Sequence, residues 1–283
     1  MMNKITSFFE LIKFEHTLFA LPFAYLGMVM AMKGWPGWRI FLLVTLAMAA
    51  ARTAGMTLNR LIDMKIDAQN PRTKDRPLLT GQFKPLWAWF CVVASVALLL
   101  LAAAALNPLC LKLSPIALVL LTGYHYSKRF THFCHWVLGA VLGIAPMGGW
   151  IAVRGTFDWP PVLLSLAVMF WVAGFDILYS LQDVDFDRSA GLHSIPVKYG
   201  ITQSLRISAA CHGATLFFLI LFGIFGGLGA VYAAGIVITA VLLRIEHGLV
   251  SDGDLSRLNA AFFTINGWVG ILIFVFTALD LYR

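Results

Sequence analysis

The stretch from residue 39 to residue 67 reads RIFLLVTLAMAAARTAGMTLNRLIDMKID. Residues 39–58 are largely apolar, and about 20 apolar residues are what an α-helix needs to cross the hydrocarbon core of a bilayer. The stretch ends in two carboxylates spaced four residues apart, Asp63 and Asp67. This combination predicts a membrane-spanning helix that carries an acidic segment at one end.

The composition of the whole chain places it in lipid. Of 283 residues, 60% are hydrophobic and 12% are charged, whereas a soluble domain averages about 45–50% apolar and about 25% charged residues. The net charge of +7 does not indicate nucleic-acid binding, because the basic residues lie in short segments between apolar runs. That distribution is typical of membrane proteins, in which basic residues set the orientation.

Nine long apolar runs recur along the chain. They fall near residues 16–33, 39–58, 86–106, 108–126, 133–153, 161–182, 203–226, 228–246 and 259–281. The sequence therefore predicts an all-α membrane protein with nine transmembrane helices around a central cavity. We expect residues 1–283 to form a single domain.

The lysines and arginines predict the orientation of these spans. If the N-terminus is cytoplasmic, the inner segments hold fifteen of them: Lys4, Lys13, Arg60, Lys65, Arg72, Lys74, Arg76, Lys84, Lys128, Arg129, Arg188, Lys198, Arg206, Arg244 and Arg257. The outer segments hold five: Lys33, Arg39, Lys112, Arg154 and Arg283. Cytoplasmic loops carry the excess of Lys and Arg, so the N-terminus and both acidic segments are predicted to be cytoplasmic.

Two segments carry carboxylates at helical spacing. The first stripe is Asn59, Asp63 and Asp67, and the second is Asp176, Ser180, Asp183 and Asp187. Residues four apart share one face of a helix, where like charges destabilise it unless something offsets them. Mg²⁺ prefers hard oxygen ligands and is commonly held by carboxylates together with substrate phosphates. Two facing acidic segments therefore predict a magnesium–diphosphate site.

The positions of the acidic segments also suggest how the helices are arranged. One segment follows the second apolar run and the other follows the sixth, four runs later. This spacing predicts two quasi-equivalent four-helix halves plus one further helix, with the acidic ends of the halves facing each other.

Basic residues close to these segments suit the negative charge of a diphosphate. Arg72 follows the first acidic segment, and Lys128 and Arg129 follow the fourth apolar run. Arg and Lys are natural partners of phosphate oxygens and stabilise a leaving group as charge builds on it. The alternative for each is ordinary anchoring on the cytoplasmic side.

Arg52 is unusual because it lies inside an apolar run. An intramembrane arginine normally faces a polar cavity and has a partner. Two partners are open at this point: Asp176 on the second stripe, or the carboxylate of an aromatic acid substrate.

Four motifs in this chain resemble those of the UbiA superfamily of intramembrane prenyltransferases. The family's Asn-x-x-x-Asp-x-x-x-Asp is matched by Asn59, Asp63 and Asp67, and its Asp-x-x-x-Asp by Asp183 and Asp187, with Tyr179 four residues earlier. Its Arg-Thr-x-x-Arg-Pro-Leu-x-x-Gly is matched by Arg72, Thr73, Arg76, Pro77, Leu78 and Gly81. Residues 52–55 are similar to the Arg-x-Ala-Gly of the hydroxybenzoate enzymes.

The resemblance implies an enzyme of the bacterial inner membrane that transfers a polyprenyl group from polyprenyl diphosphate to a small aromatic acid. It implies four catalytic carboxylates, Asp63, Asp67, Asp183 and Asp187, which bind Mg²⁺ together with Asn59. It further implies a substrate-binding set of Asn59, Arg52, Arg72, Lys128, Arg129, Tyr179 and Asp176. Lipid surrounds the polyprenyl tail, and neither nucleic acid nor an obligate protein partner is expected.

Three departures from the usual family motifs resemble the branch called MqnP. They are Arg60 after Asn59, His193 in Gly-Leu-His-Ser, and the segment Phe14-Glu15-His16-Thr17 near the first span. That branch is associated with menaquinone made through futalosine. The acceptor is therefore left open between 4-hydroxybenzoate, on the route to ubiquinone, and 1,4-dihydroxy-6-naphthoate, on the route to menaquinone.

Three other functions remain as alternatives. Haem O, chlorophyll and archaeal lipid synthases of the same superfamily share the acidic motifs. A membrane cation transporter would use the same acids, although their clustering at one face of the membrane disfavours it. A non-catalytic prenyl-lipid binding protein would bind the diphosphate without turnover.

Overall fold

The structure is a computed structural model that describes residues 17–250, 255, 257–258 and 264–283. Within these residues the regular secondary structure is entirely helical, with no strand. The long helices are α1 (Thr17–Met32), α2 (Trp38–Ile62), α3 (Pro85–Leu106), α4 (Pro108–Ser127), α5 (Cys134–Arg154), α6 (Pro160–Ser180), α7 (Ile195–Gly226), α8 (Ala230–Gly248) and α9 (Asn266–Leu281).

Seven of the described helices, α2–α8, are long and apolar enough to cross a membrane. The chain is therefore a multi-pass, all-α membrane protein, as predicted. Helices α1 and α9 are apolar but only 16 residues long within the described part of the chain. The total of nine spans and the division into two halves stay predictions. Residues 1–16, with Lys4 and Lys13, and residues 259–263 lie outside the described residues.

Asn107 forms the tight connection between α3 and α4. Its extended backbone ends α3, and its side-chain oxygen accepts a hydrogen bond from the backbone N–H of Cys110 at 3.0 Å. Its side-chain amide donates to the carbonyl of Ile151 in α5 at 2.8 Å. An asparagine cap followed by Pro108 is a typical helix start. The cap explains how two spans follow each other without a loop.

Helix α7 begins at Ile195, earlier than the apolar run predicted at 203–226. Ser194 caps it by accepting a hydrogen bond from the backbone N–H of Val197 at 3.3 Å. Gly200 then interrupts the helical backbone with φ +76°, a conformation that glycine adopts readily. The residues before Gly200 therefore form a separate short turn, and the apolar pattern predicted only the membrane-spanning part that follows it.

Close contact between helices α1 and α5 depends on two glycines. A Cβ atom at Gly27 would lie 2.0 Å from the carbonyl oxygen of Pro146, and one at Gly149 would lie 2.0 Å from that of Ala24. Small residues let membrane helices approach in this way, which increases their van der Waals contact. This crossing forms part of the wall of the cavity described below.

Candidate active site

Both acidic segments lie where a membrane helix ends. Helix α2 stops at Ile62, Asp63 has φ −94° and ψ 7°, and a short turn follows at Met64–Asp67. Helix α6 stops at Ser180 and continues as a 3₁₀ turn at Leu181–Asp183. A break in the helix therefore falls within each stripe, at Asp63 in the first and after Ser180 in the second. Because the backbone leaves the α-helix at these points, the carboxylates follow the local turns and not one straight helical face.

The four predicted carboxylates line one small pocket. Its volume is about 90 Å³, and its wall includes Asp63, Asp67, Asp183 and Asp187. The last two come from the segment after α6, so the structure brings the ends of α2 and α6 together. The basic residues Arg72, Lys128 and Arg129 line the same pocket.

Arg72 joins the two acidic segments. Its Nε donates to Asp183 Oδ1 at 2.9 Å and its Nη2 to Asp183 Oδ2 at 2.6 Å, which is a two-pronged ion pair. Its Nη1 lies 3.4 Å from the hydroxyl of Tyr179. Asn70 adds a hydrogen bond to Asp183 Oδ1 at 3.2 Å and accepts one from the backbone N–H of Arg72 at 2.9 Å. Such forked pairs fix both position and orientation.

Each of the other three carboxylates also has a basic partner. Arg129 Nη2 lies 2.9 Å from Asp63 Oδ1, and Lys128 Nζ lies 2.6 Å from Asp187 Oδ2. Arg76 forms an ion pair with Asp67. The sequence predicted that a metal ion offsets the repulsion between the acids. In the structure, four basic side chains offset it.

The surroundings shift the pKa values of the charged groups at this pocket. Burial raises the pKa of Asp63 above its usual range, and the hydrogen bond from Arg129 acts in the opposite direction. Burial lowers the pKa of Arg72, but the hydrogen bonds and the charge of Asp183 outweigh it and leave that pKa raised. Asp63 is therefore a carboxylate that gains from a further positive charge in the pocket.

The donor atoms fit a hard divalent cation. Four carboxylates and the side-chain amides of Asn59 and Asn70 supply oxygen atoms of the kind that Mg²⁺ prefers. Within the described part of the chain, no three His, Cys, Asp or Glu side chains are grouped closely enough to hold an ion. Binding of a divalent cation here would therefore require the carboxylates to exchange their basic partners for it, and the released basic groups would then need an anion.

A second, larger cavity adjoins the acidic pocket. It has a volume of about 820 Å³ and is lined by residues of α1–α6. It reaches from Arg76, beside the acidic pocket, to Leu106 at the end of α3 and Cys110 in the first turn of α4. These two residues lie at the far end of the cavity from the acidic pocket. Most of its wall is aliphatic. Arg72 and Thr73 line both cavities, so the polar pocket opens into the apolar one at these residues.

Arg52 lines the large cavity and forms no ion pair with any residue that the structure describes. Its Nε and Nη2 atoms are buried and have no hydrogen-bond partner among the described residues. Asp176 is not its partner in the structure, because no ion pair joins the two side chains and Asp176 Oδ2 lies 2.7 Å from Nδ1 of His135 instead. Of the two partners predicted for Arg52, Asp176 is therefore wrong, and the carboxylate of an aromatic acid stays a prediction. An unpaired buried cation is costly, so the site favours an anionic ligand.

The structure also places residues at the site that the sequence did not assign to it. Arg60 is only 7% exposed, lines the large cavity and donates to Asn59 Oδ1 at 3.1 Å, although the sequence indicated an anchoring residue. Asn70 could have been predicted as a site residue, since it lies two residues before the motif that begins at Arg72. His135 carried no signal, because a single histidine in an apolar run is ordinarily a packed core residue.

The predicted substrate-binding residues divide between the two cavities. Arg52, Asn59, Asp176 and Tyr179 line the large cavity, and Asn59 donates to Asp63 Oδ2 at 3.0 Å. Lys128 and Arg129 line the acidic pocket, and Arg72 lines both. The roles assigned to these residues stay predictions. Their placement defines a membrane protein whose charged pocket opens into a long apolar cavity, an arrangement suited to a ligand with an anionic head and an apolar tail.

Comparison with known proteins assigns the family. The model of the UbiA prenyltransferase family matches residues 20–268, so the chain belongs to this family and is a UbiA-type prenyltransferase. The 4-hydroxybenzoate octaprenyltransferase of Alkalilimnicola ehrlichii is 31% identical over 90% of this chain and 87% of its own length. Family membership decides against the cation-transporter alternative.

Two solved structures share the fold. The apo structure of a UbiA homolog from Aeropyrum pernix K1 has a TM-score of 0.85 and 36% sequence identity, covering 94% of this chain and 98% of its own. A UbiA homolog from Archaeoglobus fulgidus, bound to GPP and Mg²⁺, has a TM-score of 0.76 and 20% identity, covering 98% of this chain and 100% of its own.

Proposed function

We propose that this enzyme transfers a polyprenyl group from polyprenyl diphosphate to a small aromatic acid, with Mg²⁺ as the cofactor. The acceptor is 4-hydroxybenzoate or 1,4-dihydroxy-6-naphthoate, and the product is a precursor of a respiratory quinone. The aromatic-acid assignment is supported by the name of the Alkalilimnicola ehrlichii relative. The Archaeoglobus fulgidus homolog, bound to GPP and Mg²⁺, supports the choice of donor and metal.

The acidic pocket would bind the diphosphate end of the donor by exchanging partners. Asp63, Asp67, Asp183 and Asp187, with Asn59, would hold Mg²⁺, and the basic residues released from them would turn to phosphate oxygens. When bound, Mg²⁺ supplies positive charge that offsets the charge of the diphosphate. Arg72, Lys128 and Arg129 would add hydrogen bonds to the leaving group as negative charge builds on it.

The large cavity would receive the polyprenyl chain. Its aliphatic wall excludes water around the allylic carbon, and this protects a developing carbocation from hydrolysis. Arg72 and Thr73 line both cavities, so the diphosphate and the chain would meet at this junction. Part of a long tail would extend into the surrounding lipid.

The choice of an aromatic acid as the acceptor depends on the buried guanidinium of Arg52. Its buried guanidinium has two nitrogens without hydrogen-bond partners among the described residues, and it lines the apolar cavity in which the ring must react. A carboxylate on the acceptor would supply the missing charge. The haem O and lipid synthase alternatives are disfavoured because nothing in their reactions requires a small carboxylated ring at this position.

We further propose the membrane arrangement that the sequence indicated. The chain would lie in the bacterial inner membrane as one domain, with nine spans in two four-helix halves plus one. The N-terminus and the acidic pocket would face the cytoplasm, where Mg²⁺ and aromatic acids are available. Helices α1 and α9 would complete the set of spans.

Purified protein in detergent provides the direct test. With Mg²⁺ and a polyprenyl diphosphate, we expect prenylation of one of the two aromatic acids, measured by chromatography of the lipid product. Supplying both acids at equal concentration identifies the preferred acceptor, and removal of Mg²⁺ with EDTA should abolish turnover. Release of diphosphate without a prenylated acid, for both candidates, would refute the proposed acceptor class.

A further inference from the structure

Asp176 is the single charged residue of helix α6. Its neighbours Phe175 and Ile177 are buried, whereas the Asp176 side chain keeps 26% of its surface exposed and lines the large cavity. A carboxylate within a membrane helix is costly and is rarely retained without a function. None of the four carboxylates of the acidic pocket lines this cavity.

His135 holds one oxygen of this carboxylate from the neighbouring helix α5. Its side chain is 2% exposed, and its Nδ1 lies 2.7 Å from Asp176 Oδ2. The backbone N–H of Ile195, at the start of α7, points at its Nε2 with a distance of 3.3 Å. Both ring nitrogens are therefore engaged, and the imidazole is fixed between three helices.

These two contacts determine which nitrogen of His135 carries the proton. The N–H of Ile195 can donate only to an unprotonated nitrogen, so Nε2 accepts and Nδ1 bears the hydrogen. Nδ1–H then donates to Asp176 Oδ2, so this carboxylate oxygen is unprotonated and acts as the acceptor. The Oδ1 atom has no hydrogen bond from the described residues and remains as the oxygen that can act on a ligand in the cavity.

Other candidate bases on the cavity wall are poorly suited. The described lining residues include one further carboxylate, Asp75, which is exposed and lies in the loop after α2 and not on a helix. The remaining polar groups are arginines, the amide of Asn59, several hydroxyls and the thiol of Cys110. A neutral hydroxyl is a weak base compared with a carboxylate. Asp176 is thus the described carboxylate that a helix presents to the cavity in which Arg52 also lies.

We propose that Asp176 is the base that takes the ring proton of the acceptor, and that His135 is the residue that positions it. This inference rests on the proposed function, because only substitution on an aromatic ring releases such a proton. The histidine fixes the orientation of the carboxylate and leaves Oδ1 free toward the ring.

The bond between C1 of the prenyl group and the diphosphate oxygen breaks, and its electron pair leaves with the diphosphate. A ring carbon bonds to C1 with a pair of π electrons, which leaves the ring positively charged and with a hydrogen still on that carbon. Asp176 Oδ1 accepts this hydrogen as a proton, and the C–H electron pair restores the aromatic ring. The proton leaves Asp176 for water when the product departs.

Kinetic isotope effects on the full-length enzyme test this assignment. Wild-type protein, His135→Ala, His135→Gln and Asp176→Asn are compared with an acceptor that is either protonated or deuterated at every ring position. Base catalysis contributes about 10²–10⁴-fold in rate, so Asp176→Asn should lose at least about 100-fold in kcat. His135→Ala should lose less than Asp176→Asn, and His135→Gln should lose least, because its amide can still donate to Asp176.

The isotope effect distinguishes proton removal from a general structural defect. If proton removal is impaired, it becomes rate-limiting, and the ratio of rates for protonated over deuterated acceptor rises above the wild-type ratio in both His135→Ala and Asp176→Asn. His132→Gln is the matched control, because His132 lies in the same segment and contacts the Ser194 carbonyl at 3.3 Å. It should leave both the rate and the isotope effect unchanged.

Four results have defined meanings. A lower rate with an unchanged isotope effect in both His135→Ala and Asp176→Asn would overturn the inference, since the pair would then be structural. Wild-type rates in Asp176→Asn would overturn it as well. If His135→Ala fails to fold, the isosteric Asp176→Asn variant still decides. Wild-type enzyme that prenylates neither acid would refute the proposed function itself, which is a separate outcome.

Discussion

Arg52 shows how one side chain can carry both a cost and a function. Two of its guanidinium nitrogens are buried without a hydrogen-bond partner in the described part of the chain. A charge withdrawn from water without a partner lowers the stability of the folded state. Functional sites commonly retain such groups because the ligand supplies what is missing. Stability and acceptor binding should therefore respond to Arg52 in opposite directions.

Replacing Arg52 with methionine tests this opposition. We expect Arg52→Met to keep or raise the Tm in detergent, because it removes the unpaired charge while filling similar space. The KM for the aromatic acid should rise about 10- to 100-fold, since a hydrogen bond to a charged group contributes about 1.5–3 kcal/mol. Thermal unfolding and initial-rate measurements with each substrate varied in turn separate the two effects.

Arg39→Met is the control on the same helix. Arg39 lies near the other end of α2 and donates to the carbonyl of Ala105, so its loss should not change the KM for the acceptor. A lower Tm together with an unchanged acceptor KM in Arg52→Met would contradict the assigned role of Arg52.

The contact between α1 and α5 is the clearest constraint at the scale of elements. At Gly149, a Cβ atom would meet backbone atoms of Ala24, which cannot move aside as a flexible side chain can. We expect Gly149→Ala to separate the two helices, to cost about 1–3 kcal/mol as an overpacked core does, and to lower the Tm in detergent. Gly213→Ala provides the comparison, since nothing lies within 4 Å of a Cβ at that position of α7. Equal Tm values for the two variants would show that α1 and α5 are not packed this closely.

The same scale shows how far the helices could be predicted. Runs of about 20 apolar residues have one stable structure in a bilayer, which is a helix. The positions of α2–α8 could therefore be read from the sequence. The early start of α7 could not, because a cap at Ser194 and a break at Gly200 lie outside the apolar pattern.

The site was predictable in its residues and less so in its pairings. The spacing of Asp63 and Asp67, and of Asp183 and Asp187, indicated a shared charged site. The partner of each acid depends on distant parts of the chain, as when Arg72 reaches Asp183 across 111 positions. No local rule connects such residues, so the breaks in the acidic helices and the His135–Asp176 pair appeared only in three dimensions.

At the scale of the whole molecule, the four acid–base pairs predict coupled binding of metal and diphosphate. Mg²⁺ alone would leave the four basic residues without partners, and an anion alone would leave the four acids without partners. Together the two ligands satisfy both sets. We expect each to strengthen the binding of the other at least fivefold, the low end of ordinary coupling energies. Titration calorimetry with Mg²⁺ and inorganic pyrophosphate, added singly and together, measures this factor.

Arg188→Ala is a suitable control for the coupling. Arg188 is exposed and lies next to Asp187, outside the lining of the pocket, so its removal should leave the coupling factor unchanged. Asp183→Asn should reduce it, because one of the exchanging pairs is then lost. Equal Mg²⁺ affinity with and without pyrophosphate in the wild-type protein would contradict partner exchange.

The pairing pattern also sets an order of events during synthesis. Asp63 pairs with Arg129 and Asp67 with Arg76, and all four residues precede α5. Arg72 and Lys128, in contrast, pair with carboxylates that follow α6. Because a nascent chain emerges from its N-terminus, Arg72 and Lys128 have no carboxylate partner in the pocket until the sixth helix has been inserted. The arrival of Asp183 and Asp187 then joins the early and late parts of the chain, and the pocket closes as the last of these events.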